Sequence, residues 1–105
     1  MSYSIELSPE AKNDLNSIFS YIAFQISELN SLSNAEQQIS RLEKGISALC
    51  EFPNRYPLYK KESWHSIGIR IMPIDHYNVF YRVDQDKHVV YIYHILYNRR
   101  NLDTL

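Results

Sequence analysis

The chain has 105 residues, 45% of them hydrophobic and 22% charged, with a formal net charge of −1. That length suits one domain with one modest core, and that balance argues against disorder and against the strongly basic footprint of a general nucleic-acid binder. Cys50 is the single cysteine, which excludes an internal disulfide and any two-cysteine metal motif. No apolar run approaches the roughly 18 residues of a membrane span, and Met1-Ser2-Tyr3-Ser4-Ile5-Glu6 lacks the basic and apolar regions of a signal peptide. A cytoplasmic protein without membrane contact is expected.

Tyr3, Ile5 and Leu7 alternate with polar residues, which predicts a short strand with one buried face. Ser8-Pro9-Glu10 reads as a helix start: serine caps free N–H groups, proline suits the first helical position, and glutamate complements the dipole. Ala11, Leu15, Ile18, Ile22 and Ile26 then form one apolar stripe on a first helix. Asn30 to Ser33 reads as a tight connection, and Ser33-Asn34-Ala35-Glu36 has capping-box spacing. Ala35, Ile39, Leu42, Ile46 and Leu49 form a second stripe, which Pro53 should end.

Asn54 to Ser66 is an irregular connection rich in Tyr, Lys and Pro. Three strands follow. Ile67, Ile69 and Ile71 alternate until Pro73; Tyr77, Val79, Tyr81 and Val83 alternate next; Asp84-Gln85-Asp86-Lys87 is a polar turn. His88 to Tyr97 is apolar on both faces and should be the central strand. The expected fold is α+β, in the order β-α-α-β-β-β: a single domain over residues 1–105, with a helical hairpin on one face of a small antiparallel sheet.

Turn positions set an expected register. Pairing Val83 with His88 puts Tyr77, Val79, Tyr81, Val83, Val90, Ile92 and Leu96 under the helices. Pairing Met72 with His76 brings Arg70 opposite Asn78. The opposite, open face then carries Arg70, His76, Asn78, Tyr93 and Tyr97, a polar-aromatic cluster able to hold phosphate and stack bases. An ordinary solvated sheet face has the same composition, because strands enrich tyrosine. The four histidines lack a metal-ligand spacing and the two glycines form no phosphate loop, so neither a metal nor a cofactor is expected.

Ala11-x-x-Asp14-Leu15-x-x-Ile18-x-x-Tyr21-Ile22, Phe52-Pro53, Gly68-Ile69-Arg70, Val79-Phe80-Tyr81-Arg82-Val83-Asp84 and His94-Ile95-Leu96-Tyr97-Asn98-Arg99-Arg100 occur in that order along nearly the whole chain. Together they resemble the RelE/ParE toxins, and the ParE branch more than RelE or YoeB. ParE-like chains often end in a glycine, two arginines and an aspartate; Asn98 and Asn101 depart from that pattern, whereas Arg99 and Arg100 match it.

The resemblance implies a toxin neutralised by a cognate antitoxin in a hetero-oligomeric complex. For the ParE branch it implies growth arrest through DNA gyrase. For the RelE branch it implies messenger-RNA cleavage on the ribosome, and a non-toxic interaction module of the same fold is a third possibility. RNA cleavage needs a converging base, acid and cation. Arg70, His76 and Tyr97 are the catalytic candidates under that reading. The expected register separates Arg82 from Tyr97 by most of a strand, and the arginine and His-Tyr pair of YoeB-like enzymes correspond to Asn78 and Leu96-Tyr97 here. The target-binding candidates are Arg99 and Arg100 first, then Arg70, Lys60, Lys61 and Tyr93.

Overall fold

The computed structural model describes residues 2–25 and 31–98. The elements are β1 (Ser4–Leu7), α1 (Pro9–Ser20), a π-helical turn (Tyr21–Gln25), α2 (Ser31–Ser47), β2 (Arg70–Ile74), β3 (Tyr77–Asp84) and β4 (Val89–Tyr97). The strands form one sheet in the order β1-β4-β3-β2. The last three are antiparallel neighbours, while β1 joins β4 in parallel, so the sheet is mixed. β4 is central, as its apolar faces predict.

α1 starts as its sequence dictates. The Ser8 hydroxyl accepts a 2.9 Å bond from the Ala11 amide, and Pro9 occupies the first turn. Ala11 and Ile18 are buried, and Leu15 and Ile22 pack against the core. Ile26 lies outside the described residues. α2 already includes Ser31, so Ser33 sits inside the helix and the expected capping box does not operate. Ala35, Leu42, Ile46 and Leu49 are buried along one stripe. The α-helix closes at Ser47, and Leu49 belongs to a following 3₁₀ turn, Ala48–Cys50. Gly45 lets α2 lie directly on β2, because a Cβ there would collide with the Ile74 side chain.

Both hairpins differ from the expected register. The β3–β4 turn includes His88, which takes the left-handed φ of 56°, so Val83 pairs with Val90. That shift is two residues and leaves the faces unchanged near the turn. The β2–β3 turn is only Asp75-His76, with Asp75 at φ 53°, so Ile74 pairs with Tyr77 and Arg70 with Tyr81. That shift is odd and turns Arg70 to the helix face. Pro73 does not end its strand. It lies within β2, an edge strand, where a missing N–H disturbs no ladder bond. Ile67 precedes the strand and is exposed.

Between Tyr81, opposite Ile92, and Phe80, opposite His94, β4 carries one extra residue, Tyr93. This β-bulge reverses the facing of every later side chain. Ile95 and Tyr97 lie on the helix side, and His94 and Leu96 on the other. The opposite face is not open along its length. The loop after Pro53 folds over it, and Trp64 packs 5.0 Å from Phe80 and 5.4 Å from Tyr93, ring centre to ring centre. Phe80 is consequently buried, and Asn78 is buried on the same face.

Candidate functional site

A cleft of about 1080 Å³ opens between the helical hairpin and the far ends of β3 and β4. Helical spacing makes one wall: Asp14, Ile18 and Tyr21 project from the first helix and its π-turn, Asn34, Gln38 and Arg41 from α2. The sheet supplies His76, Tyr77, Ile95 and Tyr97. Tyr97 reaches this wall because of the Tyr93 bulge, and its ring stands edge-on to Tyr77 at 5.7 Å. Burial raises the Tyr77 hydroxyl above its ordinary value, and the neighbouring Tyr97 and Tyr21 hydroxyls add to the effect. The Tyr77 phenol therefore stays protonated at neutral pH and acts as a hydrogen-bonding group on an aromatic body.

One rim is held by charge. The Arg41 Nε donates to Asp75 Oδ2 at 2.7 Å, and the Gln38 amide donates to the same oxygen at 3.0 Å. These two bonds, Arg41 first, hold the Asp75 carboxyl below the usual carboxylate range. Both partners of the ion pair are substantially exposed, so it contributes little to stability. Another part of the rim is the middle of α1. Asp14 Oδ2 accepts the Ile95 amide at 2.9 Å and lies 2.9 Å from His94 Nδ1. His94 stacks nearly parallel to Trp64.

The expected polar-aromatic cluster does not assemble as one site. His76 and Tyr97 line the cleft, His76 from the exposed β2–β3 turn. Arg70 is elsewhere. Its guanidinium donates to the Tyr56 carbonyl at 2.6 Å and the Asn54 carbonyl at 3.2 Å. It sits opposite Tyr81, four residues along β3 from the Tyr77–Tyr97 pair, which is roughly 13 Å of strand. Tyr93 is at the bulge on the other face, against Trp64 and His94. Lys60 is exposed and Lys61 half-buried in the loop. Arg99, Arg100 and Asn101 lie outside the described residues. Arg82 stacks over Tyr91, 5.2 Å from its ring centre, and remains far along the strand from Tyr97.

The sequence reading missed Tyr21, Arg41, Gln38 and the Asp14–His94 contact. Helical spacing from Asp14 to Tyr21 was the available signal for the first. No local signal connects Asp14 with His94, 80 residues apart. Cys50 is half-buried, and its carbonyl accepts the Tyr3 amide. No described helix is long and apolar enough to cross a membrane.

Solved structures share this architecture. The chromosomal ParDE toxin–antitoxin system of P. aeruginosa contains a chain 16% identical, with a TM-score of 0.74, covering 93% of this chain and 98% of that one. The RelBE2 toxin–antitoxin complex of Mycobacterium tuberculosis contains one 14% identical, TM-score 0.67, covering 93% and 100%. The isolated E. coli RelE toxin is 15% identical, TM-score 0.59, covering 98% and 92%. At these identities the likeness is one of fold. No curated protein matches the sequence. The family model described as the ParE toxin of type II toxin–antitoxin systems matches residues 5–102, nearly the whole chain. The mixed four-stranded sheet under a helical hairpin and that match agree, and the chain belongs to the ParE toxins of type II toxin–antitoxin systems.

Proposed function

We propose that this toxin arrests growth by inhibiting DNA gyrase, and that a cognate antitoxin neutralises it. The observation that favours gyrase over RNA cleavage is the distance of Arg70 from His76 and Tyr97. In-line RNA cleavage requires a cation beside the reacting phosphate and a proton-transfer pair within hydrogen-bond reach. Arg41 is the arginine that lines the cleft, and its charge is paired with Asp75. Inhibition by binding needs no such convergence. It needs an anchored contact surface, for which the adjacent Arg99 and Arg100 provide two cations just past the last strand.

The antitoxin is expected to fold on binding across the helical hairpin and the edge of β4. Tyr21, Phe24 and Leu32 on the hairpin and Leu96 and Tyr97 on β4 are large apolar side chains left exposed. Covering each would contribute on the order of 1 kcal/mol or more. Amide exchange on the complex should show new protection along the hairpin; protection confined to residues 54–66 would remove this docking model.

Expression of the chain alone should stop bacterial growth, and the partner should restore it. Normal growth with soluble protein present would leave a non-toxic module of the same fold. Purified gyrase should lose supercoiling activity in the toxin's presence. Replacing Arg99 and Arg100 together by alanine should abolish both effects with the fold intact. Tyr97→Phe, which keeps the ring, should change them little. Codon-phased cleavage of ribosome-bound messenger RNA with supercoiling undisturbed would overturn the proposal. His76 and Tyr97, already facing one cleft, would then become the catalytic candidates. Loss of the Tyr97 hydroxyl would in that case slow cleavage by on the order of 10²–10⁴.

A further inference from the structure

We infer that Asp14 is a positioning residue, whose carboxylate fixes the Tyr93 bulge and thereby turns Tyr97 into the cleft. The importance of Tyr97 to a partner rests on the docking reading above; the positioning itself does not.

The backbone pattern along β4 carries the argument. Before the bulge, even-numbered residues turn their peptide groups towards β1: the Ser4 amide donates to the His88 carbonyl and the Ser8 amide to the Ile92 carbonyl, each at 2.9 Å. β1 ends at Leu7, so on that side β4 has no strand beside it beyond Ile92. Side chains from α1 and its cap take over. The Ser8 hydroxyl donates to the Tyr93 carbonyl at 2.8 Å, and Asp14 Oδ2 accepts the Ile95 amide at 2.9 Å. The groups facing that edge are now odd-numbered. On the other edge the Asn98 amide donates to the His76 carbonyl. The parity change in hydrogen bonding coincides with the parity change in facing, so one extra residue accounts for both.

Without the bulge, the Tyr81–Ile92 pairing would continue as Val79 with His94 and Tyr77 with Leu96. Tyr97 would then leave the helix face, and Ile95 would leave the core. Burial of Ile95 opposes that slip, but it does not hold an amide that has no strand partner. Asp14 does, and the carboxylate that holds the amide also fixes the neighbouring His94 ring. A buried or half-buried amide left without an acceptor is unfavourable, and a bulge is the place where a strand can absorb the shift.

The test uses NMR on the full-length free chain, so it does not depend on toxicity. In the parent, a nuclear Overhauser contact should join the Tyr77 and Tyr97 rings. Asp14→Ala should remove it and speed exchange of the Ile95 amide on the order of 10–100-fold. Protection of the β1–β4 ladder before Ile92 should be unchanged. Asp14→Asn keeps a carbonyl acceptor and should preserve the ring contact. Deletion of Tyr93 removes the extra residue and places Tyr97 on the helix face without a bulge. In that background Asp14→Ala should leave the ring contact intact. Two results overturn the inference: a full Tyr77–Tyr97 contact in Asp14→Ala, or its loss in the deletion background as well. If Asp14→Ala alone does not fold, the deletion background decides in the same way. A partner that binds Asp14→Ala unchanged while the ring contact is lost would sink the docking reading and leave the positioning role standing.

Discussion

The two halves of β4 are held by different means. From Val89 to Ile92 the strand lies between β1 and β3, and backbone meets backbone on both sides. Val90 and Ile92 have no exposed surface. From His94 to Tyr97 only β3 is a strand neighbour; on the other side Ser8 and Asp14 hold the chain through side chains. Leu96 and Tyr97 are exposed there. A strand sandwiched between strands seals a core. A strand braced by a few side chains keeps its order and still leaves an edge and aromatic surface exposed.

Substitutions can break or sharpen that contrast. The largest effect is expected at Ile92→Ala, which empties a fully buried site in the first half and should cost about 2–5 kcal/mol in urea unfolding. Tyr81→Phe comes next. Opposite Ile92, the Tyr81 hydroxyl is buried, its pKa pushed up to about 12 chiefly by that burial, and it donates to the Pro53 carbonyl at 2.6 Å. Its removal orphans that acceptor and should cost about 1–3 kcal/mol by the same measurement.

A smaller effect concerns the second half, where Arg41 and Asp75 clasp one side of the cleft. The Asp75 pKa is lowered by the Arg41 and Gln38 bonds, so the folded state holds its proton less tightly than the unfolded chain does. The stabilisation is complete above the ordinary value of 3.8 and is lost as pH falls through the lowered folded value. Arg41→Ala should therefore be slightly less stable than the parent at neutral pH, and the two unfolding curves should converge in acid. A constant gap down to the acid limit would show that Arg41 acts through packing. The smallest effect is expected at Leu96→Ala, within about 0.5 kcal/mol. A cost equal to that of Ile92→Ala would erase the distinction between the halves.

The same contrast marks what could be read from residues alone. Ser8-Pro9, the two apolar stripes, the alternation in β3 and the central place of β4 are local or periodic signals, and the structure has each of them. The faces of Tyr81, Val83, Val90 and Ile92 followed as well. Beyond Tyr93 the reading failed, because a bulge shows no periodic signature and here has no glycine to mark it. Arg70 was placed on the wrong face for a related reason: Asp75 and His88 adopt left-handed turns without glycine, and turn length decides register. The cleft was legible in part, through His76 and Tyr97. Its other walls depend on how far α1 reaches along β4, a tertiary distance that no spacing in the chain encodes. Trp64 closes the opposite face from a loop with no periodic pattern at all.

Pro73 carries a last consequence. The Ile71 amide points outward from β2 to the Pro57 carbonyl, so the position two residues on, where an outward donor would stand next, is the proline ring. The Leu58–Arg70 bridge occupies the preceding stretch of that edge. Among the described residues, the β2 edge is thus closed to a further strand along this stretch. Two copies of the chain therefore do not join strand to strand through this stretch of β2. Among the described residues, the edge left for a strand-like segment to pair with is therefore on the β1–β4 side.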